Sequence, residues 1–212
     1  MANTMVTIAL PKGRIGKDAL KALKPLGTES IIKPMTRKLV FTDLPNQRRF
    51  IFVKAADVVT YVERGVADLG IVGKDTIMEA DANLYEMLDL GFGACKFSVA
   101  GPAGLKLYQK DNVLRVATKY PKVATAYFQS KNQPVDIVYL SGSVELGPLI
   151  GLSDVIVDIV ETGNTLRANG LVVYEDIADV SAKVIVNPAS YRMKHHAIQT
   201  VMNALENQEE TL

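Results

Sequence analysis

The run Asp158-Ile159-Val160-Glu161-Thr162-Gly163-Asn164-Thr165-Leu166 places an acid, hydroxyl side chains, an amide and a glycine where a buried strand should hand over to a helix. In open α/β sheets ligands gather at that end of the strands. Gly163 lets backbone N–H groups approach an anion closely, Thr162 and Thr165 add hydroxyl donors, and the first amides of the following helix carry partial positive charge. A phosphate monoester suits such a loop. Asp158 has the opposite chemistry: a carboxylate repels phosphate but accepts hydrogen bonds from neutral sugar hydroxyls. Acid and cradle together suit a ribose 5-phosphate. The same residues also read as an ordinary turn with Asp158 and Glu161 as helix caps, and the loop by itself leaves both readings open.

A second constellation is Leu10-Pro11-Lys12-Gly13-Arg14, a basic turn between a first strand and a first helix. Cations on either side of a glycine suit a polyphosphate, Arg14 as a planar fork and Lys12 as a point charge; the other reading leaves both in solvent. The pairs Arg37-Lys38 and Arg48-Arg49 each precede a strand-like run and read as solvated edges. His195 and His196 read as surface or packing residues of the last helix, and Cys95 as a small buried side chain. Two histidines and one cysteine do not make a zinc site of the usual kind.

Short apolar runs alternating with helix-period segments must position these groups, which predicts an α/β chain with largely parallel sheets. Val6 to Leu10 reads as a strand, and Ile15, Ala19, Ala22, Leu23 and Leu26 as a helix stopping at Gly27. Strands follow at Leu39 to Phe41, Arg49 to Lys54 and Asp68 to Val72, with a helix through Val58, Val59 and Val62 ending at Gly65. Lys74 to Ala80 reads as a short helix and Leu84 to Leu88 as a strand. Glycines from Gly91 to Gly104 crowd around Phe97 to Ala100 and mark a candidate domain boundary. Beyond it come strands at Leu114 to Ala117 and Val135 to Leu140 around a helix from Pro121 to Ser130. A turn at Ser141 and Gly142 leads to a helix begun by Ser143, and Val155 to Val160 is the most apolar strand. Ala182 to Val186 is a late strand, and Ser190 to Leu205 a terminal helix fading into Glu206, Glu209 and Glu210, where fraying is expected.

Across 212 residues, an apolar share of 48% fills a real core in one large or two small domains. A formal charge of +1, from 24 basic and 23 acidic side chains, is not the field of a nucleic-acid binder, so an anionic ligand must be held locally. No run approaches the roughly 20 apolar residues that span a bilayer. A single cysteine and an N-terminal apolar stretch no longer than Val6 to Leu10 lead to the expectation of a cytoplasmic protein.

Taken together, the segments resemble one family, the ATP phosphoribosyltransferases, from about Val6 to Tyr191. LPKGR at 10–14, YVERGVADLGIVGKD at 61–75 and GSVELGPLIGLSDVIVDIVETGNTLRANGL at 142–171 carry the resemblance, and ATKYP at 117–121 and IVNPASYRMK at 185–194 agree with it. It implies a two-domain, bilobed α/β fold like the type II periplasmic binding proteins, with mixed sheets flanked by helices and the active site in the cleft. Residues 1–97 and 179–212 would form the first domain, and 98–178 the second. Without the long form's C-terminal extension, the chain resembles the short form. Such enzymes take a regulatory subunit related to histidyl-tRNA synthetase, in a hetero-oligomer built on dimers.

The reaction so implied is a pentosyl transfer: ATP and phosphoribosyl pyrophosphate (PRPP) give N1-(5-phosphoribosyl)-ATP and pyrophosphate, the first step of histidine biosynthesis. Thr162, Gly163, Asn164 and Thr165, with Glu161 beside them, would hold the ribose 5-phosphate, and Asp158 the ribose hydroxyls. Lys12, Arg14 and Arg37 would face the polyphosphates as the catalytic cations, with Lys12 also toward ATP. Asp68, Gly70 and Asp75 would neighbour the ATP, although Asp68 reads equally as a turn residue before its strand. Mg²⁺ would travel on the substrate phosphates, with no protein ligands of its own. Two other readings remain at this level: a two-lobed protein that binds a small anion without transforming it, and a phosphoribosyltransferase for another base.

Overall fold

The computed structural model describes residues 5–32, 37–108 and 112–206, so Glu209 and Glu210 lie outside the described residues. Along the chain run β1 (Val6–Pro11), α1 (Arg14–Ala22), α2 (Thr28–Ile31), β2 (Val40–Asp43), β3 (Arg48–Val53), α3 (Ala55–Glu63), β4 (Leu69–Gly73), α4 (Lys74–Ala80) and β5 (Tyr85–Asp89). Then come β6 (Cys95–Pro102), β7 (Leu114–Thr118), α5 (Pro121–Ser130), β8 (Val135–Tyr139), α6 (Leu146–Leu149), β9 (Val155–Val160), α7 (Asn164–Ala168) and β10 (Leu171–Val180). The chain closes with β11 (Ala182–Val186), α8 (Pro188–Met193) and α9 (His195–Glu206). Two compact units result, Met1–Gly93 with Ser181–Leu212, and Ala94–Val180. These bounds differ by a few residues from the 97/98 and 178/179 divisions the resemblance implies. The reason is a ladder: Cys95 stands opposite Val180, so β6 and β10 stay whole in one unit.

The first unit carries a sheet in the order β2-β3-β1-β4-β11-β5. β1 runs parallel to β3 and β4, while β2, β11 and β5 pair antiparallel with their neighbours. Every residue of β1 is buried, as a strand covered on both faces requires. Side-chain alternation divides it: Val6, Ile8 and Leu10 pack with Ala19 and Leu23 of α1 and Ile198 and Val201 of α9, whereas Ala9 packs with Val58, Val59 and Val62 of α3. Burying each large aliphatic side chain contributes about 1.5–3 kcal/mol. Helices thus cover both faces, and the loops at the strands' carboxyl ends are left to hold ligands.

Three expected elements differ in detail. The helix read through Leu26 ends at Ala22 and continues as a 3₁₀ turn over Lys24–Leu26, because Pro25 has no N–H to extend the α-helical ladder. The terminal helix is two helices: α8 is opened by Asn187, whose side chain accepts from the amides of Ala189 and Ser190 at 3.0 Å each, and α9 starts afresh at His195. Ser143 takes φ 50, a left-handed conformation, so it cannot begin a helix, and only Leu146–Leu149 is helical there.

The second unit carries a sheet in the order β10-β6-β9-β7-β8. β7 is parallel to β8 and β9, and β6 is antiparallel to β9 and β10. β10 was not expected from the sequence. It is an edge strand whose register slips between Val173 and Glu175 and again between Asp176 and Ala178, so the apolar alternation by which strands are read is lost. Its acids stay at the surface, where Asp176 accepts from Lys96 Nζ at 2.6 Å and Ser98 Oγ at 2.8 Å.

Candidate functional site

In the second unit the chain leaves β7 for β8 on one side and returns to β9 on the other, so the carboxyl ends of β7 and β9 form a topological switch. Val155, Ile156 and Val157 anchor β9 in the core, and the strand surfaces at Asp158, which is half-buried. Glu161, Thr162 and Gly163 then turn into α7. Leu166, buried with Ala117, Val144, Ile156 and Leu171, pins that short helix and hence the turn. Gly163 has φ 69 and ψ 7, the left-handed region where a side chain costs about 1–2 kcal/mol.

The turn borders a recess of about 220 Å³ lined by Glu145, Asp158 and the residues from Ile159 through Leu166. Asp158 Oδ1 accepts from the amide of Ile159 at 2.8 Å. The N-cap position of α7 is Gly163 itself, which has no side chain to cap the helix. The Thr162 hydroxyl oxygen accepts from the Asn164 amide at 3.4 Å, and Thr165 is exposed on the first turn of α7. Lys119 after β7 and Ser141, Gly142 and Ser143 after β8 lie at the same carboxyl end. The segments ATKYP and SGS after predicted strands were their sequence signal, although none was singled out as a site residue.

In the first unit β1 lies between β3 and β4, giving a second switch. Lys12 follows β1, with its amide donating to Val53 O at 2.9 Å, and Arg14 opens α1; both are exposed. Arg37 is exposed just before β2. Because β2 runs antiparallel to β3 and the Phe52 amide donates to Leu39 O at 2.8 Å, Arg37 stands at the same carboxyl end as Lys12. Asp75, half-buried in the first turn of α4, is there too. Lys54, which opens α3 after β3, joins them.

Asp68 and Gly70 do not join this group. Asp68 precedes β4 at the opposite end of the sheet and is 3% exposed. One of its oxygens accepts from the Thr7 amide and from Lys194 Nζ, both at 2.8 Å, and the other from Ser190 Oγ at 2.7 Å. It is the turn residue of the alternative reading, tying β1, β4 and α8 together. Gly70 is buried in mid-strand, where an added Cβ would stand 2.7 Å from Val58 Cγ1 and 2.9 Å from Val62 Cγ2. It is a glycine because α3 packs directly on β4.

Most of the clearly shifted ionisations belong to surface clusters of the second unit; in the first, desolvation that would raise the Asp89 carboxyl is outweighed by hydrogen bonds from Lys183 and Ser181, which hold it low. Hydrogen bonds from Tyr127 and Tyr108 hold the Glu175 carboxyl below its usual range, and desolvation, with Glu175 beside them, pushes both tyrosines up. Among the described residues no three or more His, Cys, Asp or Glu side chains are grouped to hold a metal ion, and no helix is long and apolar enough to cross a membrane.

Residues 54–207 match the family model described as HisG: ATP phosphoribosyltransferase. The chain is 56% identical over 201 residues to an ATP phosphoribosyltransferase of Clostridioides difficile, covering 95% of this chain and 97% of that one. Among solved structures it is similar to the ATP phosphoribosyl transferase (HisG:HisZ) complex from Thermotoga maritima, with a TM-score of 0.87 and 34% identity over 98% of this chain and 100% of that one. The fold also matches the periplasmic aliphatic sulphonate binding protein SsuA from Escherichia coli at TM-score 0.57 and 14% identity, over 98% and 76% of the respective chains.

Proposed function

This chain belongs to the ATP phosphoribosyltransferase family, and from that premise we propose how its strand-end loops divide the labour of joining ATP to PRPP in histidine biosynthesis. The carrying observation is the β9–α7 loop, in which Asp158 and the turn from Thr162 to Thr165 line one recess. Thr162, Gly163, Asn164 and Thr165 hold the ribose 5-phosphate, with Glu161 at the margin, and Asp158 accepts hydrogen bonds from the ribose hydroxyls. Lys12, Arg14 and Arg37 take the polyphosphate groups, and Asp75 stands on the ATP side.

In the transfer, adenine N1 attacks the anomeric carbon of the ribose. The N1–C1′ bond forms as the bond from C1′ to the pyrophosphate oxygen breaks, with inversion. Adenine N1 already carries a lone pair, so no serine or cysteine nucleophile is required. The protein positions the reactants and stabilises charge as it builds on the departing pyrophosphate. Arg14 and Arg37 fill that role as planar, permanently charged donors. Mg²⁺ comes bound to the substrate phosphates. By analogy with the Thermotoga complex, the chain works in a hetero-oligomer with a HisZ-like regulatory subunit.

The test is mass-spectrometric detection of phosphoribosyl-ATP from the purified chain with ATP, PRPP, Mg²⁺ and pyrophosphatase, with and without the HisZ-like subunit. Product is expected, and more of it with the partner; none in either mixture, with PRPP binding intact, would point to another acceptor base. Arg14→Ala and Arg37→Ala should lower kcat about 100- to 1,000-fold, the loss of roughly 3–4 kcal/mol of transition-state stabilisation. Thr162→Val should instead weaken PRPP binding. Unchanged turnover in both arginine variants would remove the leaving-group role.

A further inference from the structure

The Thr162–Asn164 turn is chemically ambiguous until Arg167 is considered. A turn of this composition offers both hydrogen-bond donors and acceptors, and an acceptor facing a phosphate repels it. Arg167 engages three of the acceptors: its Nη2 donates to Thr162 O at 2.9 Å and to Asn164 Oδ1 at 2.5 Å, and its backbone amide donates to Gly163 O at 3.0 Å. We infer that Arg167 is a positioning residue that makes this turn a donor-only cradle for the 5-phosphate of PRPP, an inference that rests on the function proposed above.

The orientation follows from covalent geometry. In a trans peptide the C=O and N–H bonds point in opposite directions, and the described residues contain no cis peptide. Drawing Thr162 O toward the guanidinium therefore turns the Gly163 N–H away from it. Arginine has donors only, so Asn164 must present its Oδ1 to Arg167 and its NH₂ group elsewhere. The Thr162 Oγ1 accepts from the Asn164 amide, which leaves its O–H to donate. Amide, carboxamide and hydroxyl then offer hydrogens to an anion. Gly163 serves the same arrangement, since a Cβ there would lie 3.1 Å from Arg167 Nη1 and crowd the guanidinium.

The experiment compares Arg167→Ala, Arg167→Lys and Asn164→Asp in the complete enzyme with its regulatory subunit. It measures the PRPP dissociation constant, KM for each substrate, kcat and thermal melting. The expected result is a rise of about ten- to hundredfold in the PRPP constant for all three, with KM for ATP unchanged and melting close to the parent. Lysine keeps the charge but not the two-acceptor reach from one planar group, and aspartate puts an acceptor oxygen where the carboxamide donor was. Millimolar guanidinium, but not equal sodium chloride, should restore PRPP affinity to Arg167→Ala. Parental PRPP affinity in any of the three variants, or no recovery with guanidinium, overturns the inference. Thr162→Val separates the two levels: if it too binds PRPP normally, the placement of the phosphate on this loop fails, whereas if it alone binds poorly only the role of Arg167 is lost.

Discussion

Replacing Asp68 with alanine should unfold the first unit more readily and leave substrate recognition intact. The carboxylate is buried and accepts from the Thr7 amide, Ser190 Oγ and Lys194 Nζ. Its loss strands the Thr7 N–H inside the sheet, at a cost of about 1–3 kcal/mol. Lys194 keeps its bond to Met5 O at 2.8 Å and is 22% exposed, so water compensates part of its lost partner and its share is about 1 kcal/mol. Ser190 adds roughly another 1 kcal/mol. The sum, about 3–5 kcal/mol, agrees with the usual cost of breaking a buried pair from one side and is a large part of a typical domain stability of about 5–15 kcal/mol. Thermal melting should fall by roughly 6–20 °C. Calorimetry would measure this, and steady-state rates well below the melting range would give KM for ATP and PRPP. An Asp68→Ala enzyme that melts with the parent but needs far more ATP would refute the structural assignment and return Asp68 to the nucleotide.

Gly70→Ala should destabilise by about 1–3 kcal/mol through overpacking, because its Cβ would press on Val58 and Val62; urea denaturation checks this, with both KM values expected to stay at parental levels. The Asp154 carboxyl is held below its ordinary value of 3.8 chiefly by the hydrogen bond from Arg115, with Nη2 to Oδ1 at 2.7 Å. A lowered folded-state value means that its stabilising contribution is present above about pH 4 and is lost only as pH falls through the folded value. Carboxyl NMR titration of Arg115→Gln should therefore show Asp154 moving up, and acid unfolding should begin at higher pH than in the parent. An unmoved Asp154 would discount the pair.

Local pattern determined much of this protein. The runs at Val6, Val135, Val155 and Ala182 are apolar enough to be strands in almost any α/β setting, and helices such as Lys74–Ala80 and Pro121–Ser130 are bounded by their own residues. Asp158 and the Thr162–Thr165 turn were legible for the same reason: a strand's end, a glycine and hydroxyl donors are neighbours in the chain. What only tertiary structure decided depends on partners far apart in sequence. Asp68 and Asp75 look alike in the DLGIVGKD stretch, yet one lies at each end of β4. The first is consumed by Thr7, Ser190 and Lys194, the last two more than 120 residues away, and the second stands with Lys12 and Arg14 at the carboxyl end of the sheet. β10 escaped notice because register slips against β6 erase its alternation, and a slip exists only relative to a partner strand. Arg167 is a different case: its partners are only three and five residues away, yet its fixed fork meets Thr162 O and Asn164 Oδ1 only once the turn has taken its folded conformation. Sequence periodicity reports which residues are buried; the direction in which a carbonyl or a carboxylate points is set by whatever the rest of the chain places beside it.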